Sequence, residues 1–228
     1  MVEMEKIPVV IMAGGCGKRV QHISSLIPKP LMGYEGKTLI ENVIEVFEKE
    51  GCKKFYILLN YKSDLIKAYL ESLHLDVDIV YVVEDKPYGT VGGIKLLENC
   101  ISGTFILCNA DNLGKFQYKE LVSQHEANNR LITVPVKKIE IRIPFGIIKE
   151  ENGQFESISE KPTQTISIST GIHILDSQIF DFLGKEESID MPDLLNSVRS
   201  KGKIKCVDIS GDTWIDMAEE LLKVTGEK

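Results

Sequence analysis

The stretch PVVIMAGGCGKR, residues 8–19, decides the fold, because six apolar or small residues run directly into a glycine-rich turn. The run Pro8–Ala13 is short and unbroken, as expected of a strand that is covered on both faces. Glycines that follow a strand let the backbone approach a phosphate closely and aim N–H groups at it. Residues 14–19 therefore predict a phosphate-binding turn, although a plain strand-to-helix turn with solvated Lys and Arg side chains also fits them.

The loop belongs to neither of the two best-known nucleotide motifs. It lacks the G-x-x-x-x-G-K-[ST] pattern of a Walker A loop and the G-x-G-x-x-G pattern of a Rossmann dinucleotide site. A NAD(P)-dependent enzyme would also need an acid at the end of the second predicted strand, where Asn60 stands. Pro28-Lys29-Pro30 follows the loop and holds a further cation between two prolines. We therefore expect two cations near one anion rather than a dinucleotide site.

The rest of the first half alternates apolar runs with helical patterns, which is typical of βαβ units. Helices are predicted over 39–50, where Thr38 and Glu41 form a capping box, and over 63–73 and 91–99. Further buried strands are predicted at Lys54–Leu59, Asp78–Val83, Thr104–Cys108 and Leu131–Val136. The predicted fold is α/β, with a Rossmann-like, mostly parallel sheet and helices on both faces.

Beyond about residue 140 the pattern changes to shorter strands. This change predicts a β-rich insertion that could bind a second substrate. The expected strands are Phe145–Lys149, Phe155–Ser159 and Ser167–Leu175. The chain then returns to a helix over 191–200, a strand over 204–207 and a last helix from about Ala218.

Composition excludes several classes of protein. The 228 residues are 43% hydrophobic and 27% charged, with a formal net charge of -7, which rules out disorder, collagen and coiled coil. No apolar run approaches the roughly 20 residues that span a bilayer, and the acidic start does not resemble a secretory signal. The acidic balance gives no case for nucleic acid or an anionic membrane as partner. Five cysteines without a C-x-x-C pair predict reduced thiols and a cytoplasmic protein.

Eight short motifs resemble those of the sugar-1-phosphate nucleotidyltransferases and occur in the same order as in that family. Together they cover nearly the whole chain. Two further stretches, 143–146 and 190–194, resemble the catalytic half of bacterial sugar-phosphate guanylyltransferases that carry CBS domains in front of it. The eight motifs are Gly14–Arg19, Pro28–Pro30, Tyr88–Gly93, Asp111, Phe145–Ile147, Glu160–Pro162, Thr170–Ile172 and Trp214–Asp216.

The resemblance implies a glycosyltransferase-A-like fold in one domain, 1–228, with a nucleotide-binding half over about 1–137 and a sugar-phosphate-binding half over about 138–228. It implies that a sugar-1-phosphate attacks the α-phosphorus of a nucleoside triphosphate, giving a nucleotide-sugar and pyrophosphate for bacterial glycan or glycoconjugate synthesis. Such a reaction needs positioning and electrostatic stabilisation, and no protein nucleophile.

The same resemblance assigns the candidate site residues. Arg19 would hold the triphosphate, Lys29 the phosphates near the reacting centre and Lys161 the phosphate of the sugar. The nucleotide-binding candidates are Ala13, Gly14, Gly15, Gly17, Lys18, Arg19, Glu84, Gly89 and Thr90. The sugar-phosphate-binding candidates are Gly146, Glu160, Lys161, Thr170 and Gly171.

Asp111 and Asp216 match the family's metal ligands, and Mg²⁺ is the expected cofactor. Mg²⁺ typically takes only one or two carboxylates, and phosphates and water complete its coordination. Asp111 follows a predicted strand and would lie where the strand's carboxyl end opens into the binding crevice. The alternative is that Asp111 caps a turn, since residues 109–112 are turn-prone.

Glu84 stands where relatives bond the edge of the base. An ionised carboxylate only accepts hydrogen bonds, which suits the adjacent N1–H and N2–H₂ donors of guanine. The sequence therefore favours GTP, and UTP is the alternative nucleotide. A second interpretation is that residues 84–86 are a charged loop with no role in base binding.

Five positions depart from the family's usual residues: Lys18, His22, Ala110, Thr170 and Ala218. Alanine in place of glycine is costly where φ is positive or where a missing Cβ makes room for a ligand. Ala110 and Ala218 therefore leave open a catalytically silent subunit that binds a nucleotide or nucleotide-sugar. A homodimer is the default expectation for assembly.

Overall fold

The computed structural model describes residues 2–17, 26–184 and 187–225. Its main sheet contains β1 (Val9–Met12), a short apolar strand whose first three residues are fully buried. The other strands described are β2 (Gly33–Tyr34), β3 (Lys37–Thr38), β4 (Lys54–Leu59), β5 (Asp78–Val83), β6 (Thr104–Asn109), β7 (Asn112–Lys115), β8 (Ile132–Arg142), β9 (Ile147–Glu151), β10 (Gln154–Ser159), β11 (Thr163–Ser169), β12 (Ile172–Asp176), β13 (Ile204–Asp208) and β14 (Thr213–Asp216).

The described helices are α1 (Leu39–Lys49), α2 (Ser63–Ser72), α3 (Tyr118–Ala127), α4 (Met191–Val198) and α5 (Met217–Thr225). Short 3₁₀ helices lie at Met4–Lys6, Lys29–Leu31, Gly92–Leu97, Ser177–Phe182 and Arg199–Lys201. Helix α1 begins at the predicted capping box, because Thr38 accepts from the Glu41 amide and the Glu41 carboxylate accepts from the Thr38 amide. No helix in the described parts of the chain is both long and apolar enough to cross a membrane.

The strand order of the main sheet is β11-β8-β12-β6-β1-β4-β5, and β13 pairs with β8. β1, β4, β5 and β6 run parallel, whereas β12 is antiparallel to β6 and to β8. One apolar core lies against α1 and α3, and a second lies on the opposite face against α4. The predicted α/β architecture with both faces of a mostly parallel sheet covered is therefore confirmed.

The second half of the chain contributes to the same sheet and also forms a separate hairpin. β12 and β13 join the main sheet, whereas β9 and β10 pair with each other as a two-stranded hairpin. Nearly all residues of that hairpin are exposed. The predicted β-rich insertion therefore corresponds to the outer part of β8, the β9–β10 hairpin and β11.

Three local predictions were wrong. The helix predicted over 91–99 is a 3₁₀ helix, Gly92–Leu97, because two successive glycines disfavour an α-helix. The single strand predicted over 167–175 is interrupted at Gly171, whose φ of +72° breaks the extended backbone between β11 and β12. β5 was expected to be buried on both faces, but it is the edge strand beyond β4 and is only partly buried.

Candidate active site

Four parallel strands end at one edge of the sheet, and each is followed by a candidate side chain or loop. β1 lies between β4 and β6, so the chain leaves in opposite directions from the centre of the sheet. In open α/β sheets such a switch point opens a binding crevice at the carboxyl ends of the strands. Gly14, Asn60, Glu84 and Asp111 follow β1, β4, β5 and β6 there.

The glycine-rich loop starts in close contact with the neighbouring strand ends. A Cβ on Gly14 would lie 2.8 Å from Glu84 Oε2 and 3.1 Å from the backbone nitrogen of Asn60. Gly15 has open space on its Cβ side, and Gly17 has a φ of 63°. Ala13 is buried and its N–H donates to Leu58 O at 2.9 Å. Gly14 is thus packed against the strand ends, whereas Gly15 has free space on its Cβ side.

Lys18 and Arg19, which the sequence assigns to the triphosphate, lie outside the described residues. Their assignment therefore stays a prediction.

Glu84 is held at the end of β5 by its own backbone. Its N–H donates to Leu59 O at 2.7 Å, and its carbonyl accepts from Asn60 Nδ2 at 2.9 Å. Only 6% of the residue is exposed, and Glu84 Oε1 accepts from no residue in the described ranges. Burial, with the Asp85 charge as a smaller contribution, raises the pKa of the Glu84 carboxyl to about 7.

Gly93 lies directly against this carboxyl group. A Cβ on Gly93 would sit 1.9 Å from Glu84 Oε1, which no real structure allows. The absence of a side chain at Gly93 therefore makes the space that the Glu84 carboxyl occupies.

Gly89 and Thr90 lie on the same loop, and their polar groups contact the protein. Gly89 has a φ of +80°, and a Cβ there would lie 2.5 Å from Ile189 O. The Thr90 N–H donates to Asp190 Oδ1 at 2.8 Å, and Thr90 Oγ1 accepts from the Met191 N–H at 2.9 Å. Gly89 and Thr90 thus contact the segment 189–191, and the Thr90 hydroxyl is engaged by the protein itself.

Lys29 and Asp111 form an ion pair between Lys29 Nζ and Asp111 Oδ2. The exposed fractions of the two side chains are 19% and 9%. Lys29 begins a 3₁₀ helix, with Pro28 in an extended conformation before it and Pro30 buried behind it. The two prolines thus fix the Lys29 backbone, and the ammonium group reaches Asp111 at the strand ends. The assignment of Lys29 to the phosphates near the reacting centre stays a prediction.

The two candidate metal ligands are neighbours across a short ladder. β7 and β14 are antiparallel, with Asp216 opposite Asn112, the residue after Asp111. The Met217 N–H donates to Asp111 O at 2.9 Å, which ties the two segments together. Residues 105 positions apart in sequence are therefore brought side by side, and this pairing is an outcome of the tertiary structure.

The donor set fits a hard divalent cation. Asp111 already binds a cation, the Lys29 ammonium, through one carboxylate oxygen. No three His, Cys, Asp and Glu side chains in the described parts of the chain are grouped to hold a metal by themselves. Phosphate oxygens and water would have to complete the coordination of an ion held by Asp111 and Asp216, which is the arrangement Mg²⁺ prefers.

Asp216 also caps a helix, because its Oδ1 accepts from the Glu219 N–H at 3.0 Å at the start of α5. We expect Asp216→Ala to lower the free energy of unfolding by about 1 kcal/mol, the usual value of such a cap. Asp216→Asn keeps a capping oxygen and should unfold like the wild type. Chemical denaturation of both variants tests this, and equal losses would contradict the capping role.

Two of the candidates assigned to the sugar phosphate, Thr170 and Gly171, lie next to Trp214 and Asn112 of the β14–β7 ladder. The Thr170 side chain is fully buried and its hydroxyl donates to Pro135 O at 3.1 Å, while its carbonyl accepts from Trp214 Nε1 at 2.8 Å. A Cβ on Gly171 would lie 2.5 Å from Asn112 Nδ2. Thr170 is therefore engaged in packing, and Gly171 is the residue of this pair that needs to lack a side chain.

Gly146, Glu160 and Lys161 form a second, exposed cluster. A Cβ on Gly146 would lie 3.0 Å from Glu160 Oε2, and Lys161 Nζ lies 3.9 Å from Glu160 Oε1. Lys161 has a φ of 44°, a left-handed conformation that is uncommon for lysine and often marks functional positions. Within the described ranges, no hydrogen bond or ion pair joins this cluster to Asp111 or Asp216.

The two alanine departures are accommodated without backbone strain. Neither Ala110 nor Ala218 has a positive φ, and both are buried, with 5% and 4% exposed. The sequence argument for a silent subunit required a positive φ or a displaced ligand at these positions, and the first condition is not met.

Sequence reasoning did not assign three residues that the structure places at the site. Asn60 bonds the Glu84 carbonyl, buried Asn112 separates the carboxylate pair from Gly171, and Asp190 bonds the Thr90 amide. The turn-prone cluster over 109–112 contained a signal for Asn112. Asp190 begins the stretch 190–194 that resembles the family, but its contact with Thr90, 100 residues away, could not be read from the sequence.

Comparison with known proteins finds relatives that are named mannose-1-phosphate guanylyltransferases. The mannose-1-phosphate guanylyltransferase catalytic subunit beta of Dictyostelium discoideum is 27% identical over 218 residues, which are 92% of this chain and 60% of that protein. The mannose-1-phosphate guanyltransferase of Yarrowia lipolytica is 27% identical over 221 residues, again 92% and 60%. The chain thus spans about three fifths of the length of these curated relatives.

Solved structures share the fold over nearly their whole length. HddC from Yersinia pseudotuberculosis has a TM-score of 0.75 and 26% identity, covering 95% of this chain and 97% of that one. UDP-glucose pyrophosphorylase, solved with UDP-glucose, has a TM-score of 0.71 at 20% identity, covering 96% of this chain and 97% of that one, and shows likeness of fold alone. The family model described as nucleotidyl transferase matches residues 8–219. The chain therefore belongs to the nucleotidyl transferase family.

Proposed function

We propose that this chain transfers a nucleotidyl group from a nucleoside triphosphate, GTP by preference, to a sugar-1-phosphate, forming a nucleotide-sugar and releasing pyrophosphate. The observation that carries the proposal is the constellation at the strand ends, where the Lys29–Asp111 pair, neighbouring Asp216 and buried Glu84 share one edge of the sheet. The curated relatives named above support this reaction class, and their names make mannose-1-phosphate the first acceptor to test.

In this reaction an oxygen of the sugar phosphate forms a bond to the α-phosphorus, and the bond from that phosphorus to the β-bridging oxygen breaks. A divalent cation, when bound by Asp111 and Asp216, supplies Lewis-acid activation of the α-phosphate. Lys29 leaves Asp111 and neutralises phosphate charge beside it. Arg19 and Lys18 hold the triphosphate, and Lys161 orients the phosphate of the sugar. The two polyanions are thus brought together by cations that the chain supplies locally against its own net charge of -7.

Base choice rests on Glu84. Its carboxyl group is buried between Gly14 and Gly93 with one oxygen lacking a protein donor in the described residues. A buried acceptor without a donor is costly unless a ligand satisfies it. Guanine offers two adjacent N–H donors, whereas uracil offers one donor and an acceptor, so an ionised Glu84 favours guanine.

We propose that the chain works in the cytoplasm on substrates made there, in the synthesis of bacterial glycans or glycoconjugates. Cys52, Cys100, Cys108 and Cys206 are thiols outside any disulfide, which supports a reducing compartment.

The direct test is pyrophosphate release with Mg²⁺, with GTP, UTP, CTP, dTTP and ATP each crossed against mannose-1-phosphate and other hexose-, hexosamine- and heptose-1-phosphates. We expect turnover with GTP and one acceptor. Nucleotide binding without pyrophosphate release for any pair would contradict the proposal and would support the silent-subunit alternative.

Base preference should depend on pH. Because the pKa of Glu84 is raised to about 7, the carboxyl is protonated below this pH and becomes the acceptor that guanine needs above it. We expect the ratio of kcat/KM for GTP over UTP to rise about tenfold between pH 6 and pH 8, since each pH unit below a pKa costs a factor of about ten. Glu84→Gln should abolish this rise and shift the preference towards UTP. The same pH dependence in both proteins would remove Glu84 from base recognition.

A further inference from the structure

The loop over residues 88–93, which we call the base loop, is held by a segment 100 residues further along the chain. Ile189 exchanges backbone hydrogen bonds with it: its N–H donates to the carbonyl of residue 88 at 3.0 Å, and its carbonyl accepts from the amides of residues 91 and 92 at 3.2 Å each. The base loop therefore has a partner that belongs to neither β5 nor β6.

Two glycines allow this close approach. A Cβ on Gly89 would lie 2.5 Å from Ile189 O, and a Cβ on Gly92 would lie 2.8 Å from Glu187 O. Backbone atoms cannot move aside as a flexible side chain can, so any larger residue at either position would push the loop away from the segment.

The side chains of Thr90 and Asp190 complete the contact in a reciprocal way. The Thr90 N–H donates to Asp190 Oδ1 at 2.8 Å, and Thr90 Oγ1 accepts from the Met191 N–H, the first amide of α4, at 2.9 Å. Asp190 precedes α4, where an aspartate normally accepts from an amide of its own helix. It makes no such bond. The carboxylate is therefore used to fix the base loop instead of its own helix.

The base loop in turn fixes Glu84, because Gly93 lies against Glu84 Oε1. We propose that Asp190 is a positioning residue, which holds the base loop so that Gly89 and Glu84 are set for the base of the nucleotide. This inference rests on the proposed function, since it takes Glu84 and the base loop as the base site. Asp190 itself touches neither substrate nor metal in this scheme.

Because Asp190 lies at the surface, a role in positioning the base loop can be distinguished from a role in the stability of the whole protein. Thr90 and Asp190 are both exposed, so their hydrogen bond adds little to global stability. Losing it should loosen the base loop and leave the core intact.

The test compares Asp190→Ala, Asp190→Asn and Asp193→Ala in the full chain. Asp193→Ala is the matched control, because Asp193 is also an exposed acid at the start of α4 but lies outside the contact with Thr90. We expect Asp190→Ala to raise the Kd for GTP about fivefold, the effect of losing one ordinary hydrogen bond. KM for the sugar phosphate and kcat should change less than about twofold. Asp190→Asn keeps an acceptor oxygen and should bind GTP like the wild type.

Hydrogen exchange of the nucleotide-free protein gives a second readout that does not depend on the proposed function. The amide of Thr90 should exchange about tenfold faster in Asp190→Ala and at the wild-type rate in Asp193→Ala. If the wild type binds no nucleotide, the proposed function fails while exchange still tests the contact.

Two results would overturn the proposal. The first is a Kd for GTP in Asp190→Ala within about twofold of the wild type. The second is an equal loss of GTP affinity in Asp190→Asn, which would indicate an effect of charge and not of a positioned acceptor. Should Asp190→Ala not fold, Asp190→Ser carries the same prediction, because serine keeps a capping side chain before α4 but its hydroxyl is one bond shorter than the carboxylate that accepts from the Thr90 N–H.

Discussion

Asp111→Asn should lower turnover on the order of 10³-fold, about 4 kcal/mol of transition-state stabilisation, while the protein remains folded. The substitution removes the charge that faces Lys29 and the proposed metal, but it keeps the size of the side chain. The Asp111 backbone carbonyl still accepts from the Met217 N–H, so the link between β7 and the start of α5 stays in place. Pyrophosphate release and the thermal midpoint, measured together, separate the two effects.

The control is Asp181→Asn, which removes an exposed carboxylate in the 3₁₀ helix Ser177–Phe182, after β12 and at the edge of the sheet where β6 begins. It should be indistinguishable from the wild type in turnover. Binding of Mn²⁺ in the presence of GTP provides a readout other than activity and should be lost only in Asp111→Asn. Turnover in Asp111→Asn near the wild-type rate would exclude Asp111 as a metal ligand.

Gly93→Ala should weaken GTP binding about 100-fold, because its Cβ would displace the Glu84 carboxyl and so cost two hydrogen bonds to a charged group of about 1.5 kcal/mol each. The ideal Cβ lies 1.9 Å from Glu84 Oε1 and 3.0 Å from Leu58 Cδ2. The new methyl group would therefore lie between the Glu84 carboxyl and the Leu58 side chain of β4. Leu58 is fully buried, so the Glu84 carboxyl is the group that has to move. Direct titration of GTP into the nucleotide-free protein measures the loss.

A double variant shows whether the effect passes through Glu84. In a Glu84→Ala background the carboxyl is gone, and adding Gly93→Ala should cost GTP affinity less than about threefold. Gly33→Ala, at an exposed glycine with no atom within 4 Å of its Cβ, is the matched control. Independent, additive losses from Glu84→Ala and Gly93→Ala would contradict the contact as the cause.

Much of the first half of the fold follows from local signals. The run over 8–13 is apolar throughout, so it forms a buried strand whatever surrounds it, and the Thr38–Glu41 capping box starts α1 where predicted. The helix α3 was not predicted, and its packing on the sheet through buried residues such as Leu121 and Val122 is what defines it. The segment 91–99 was predicted as a helix, but its glycines and the contact of residues 91 and 92 with Ile189 decide otherwise.

For the site, the sequence alone determined which residue types are present in which order: a glycine-rich turn after the first strand, a lysine between prolines, an acid after β6 and an acid before α5. These follow from local chemistry and from motif order, and they suffice to indicate the family. Only the tertiary structure decided that Asp111 and Asp216 are neighbours across β7 and β14, that Gly93 makes the space for Glu84, and that Asp190 holds Thr90. The physical reason is that each of these relations joins segments far apart in the chain, where register, burial and steric contact depend on the packed sheet and leave no trace in the local sequence pattern.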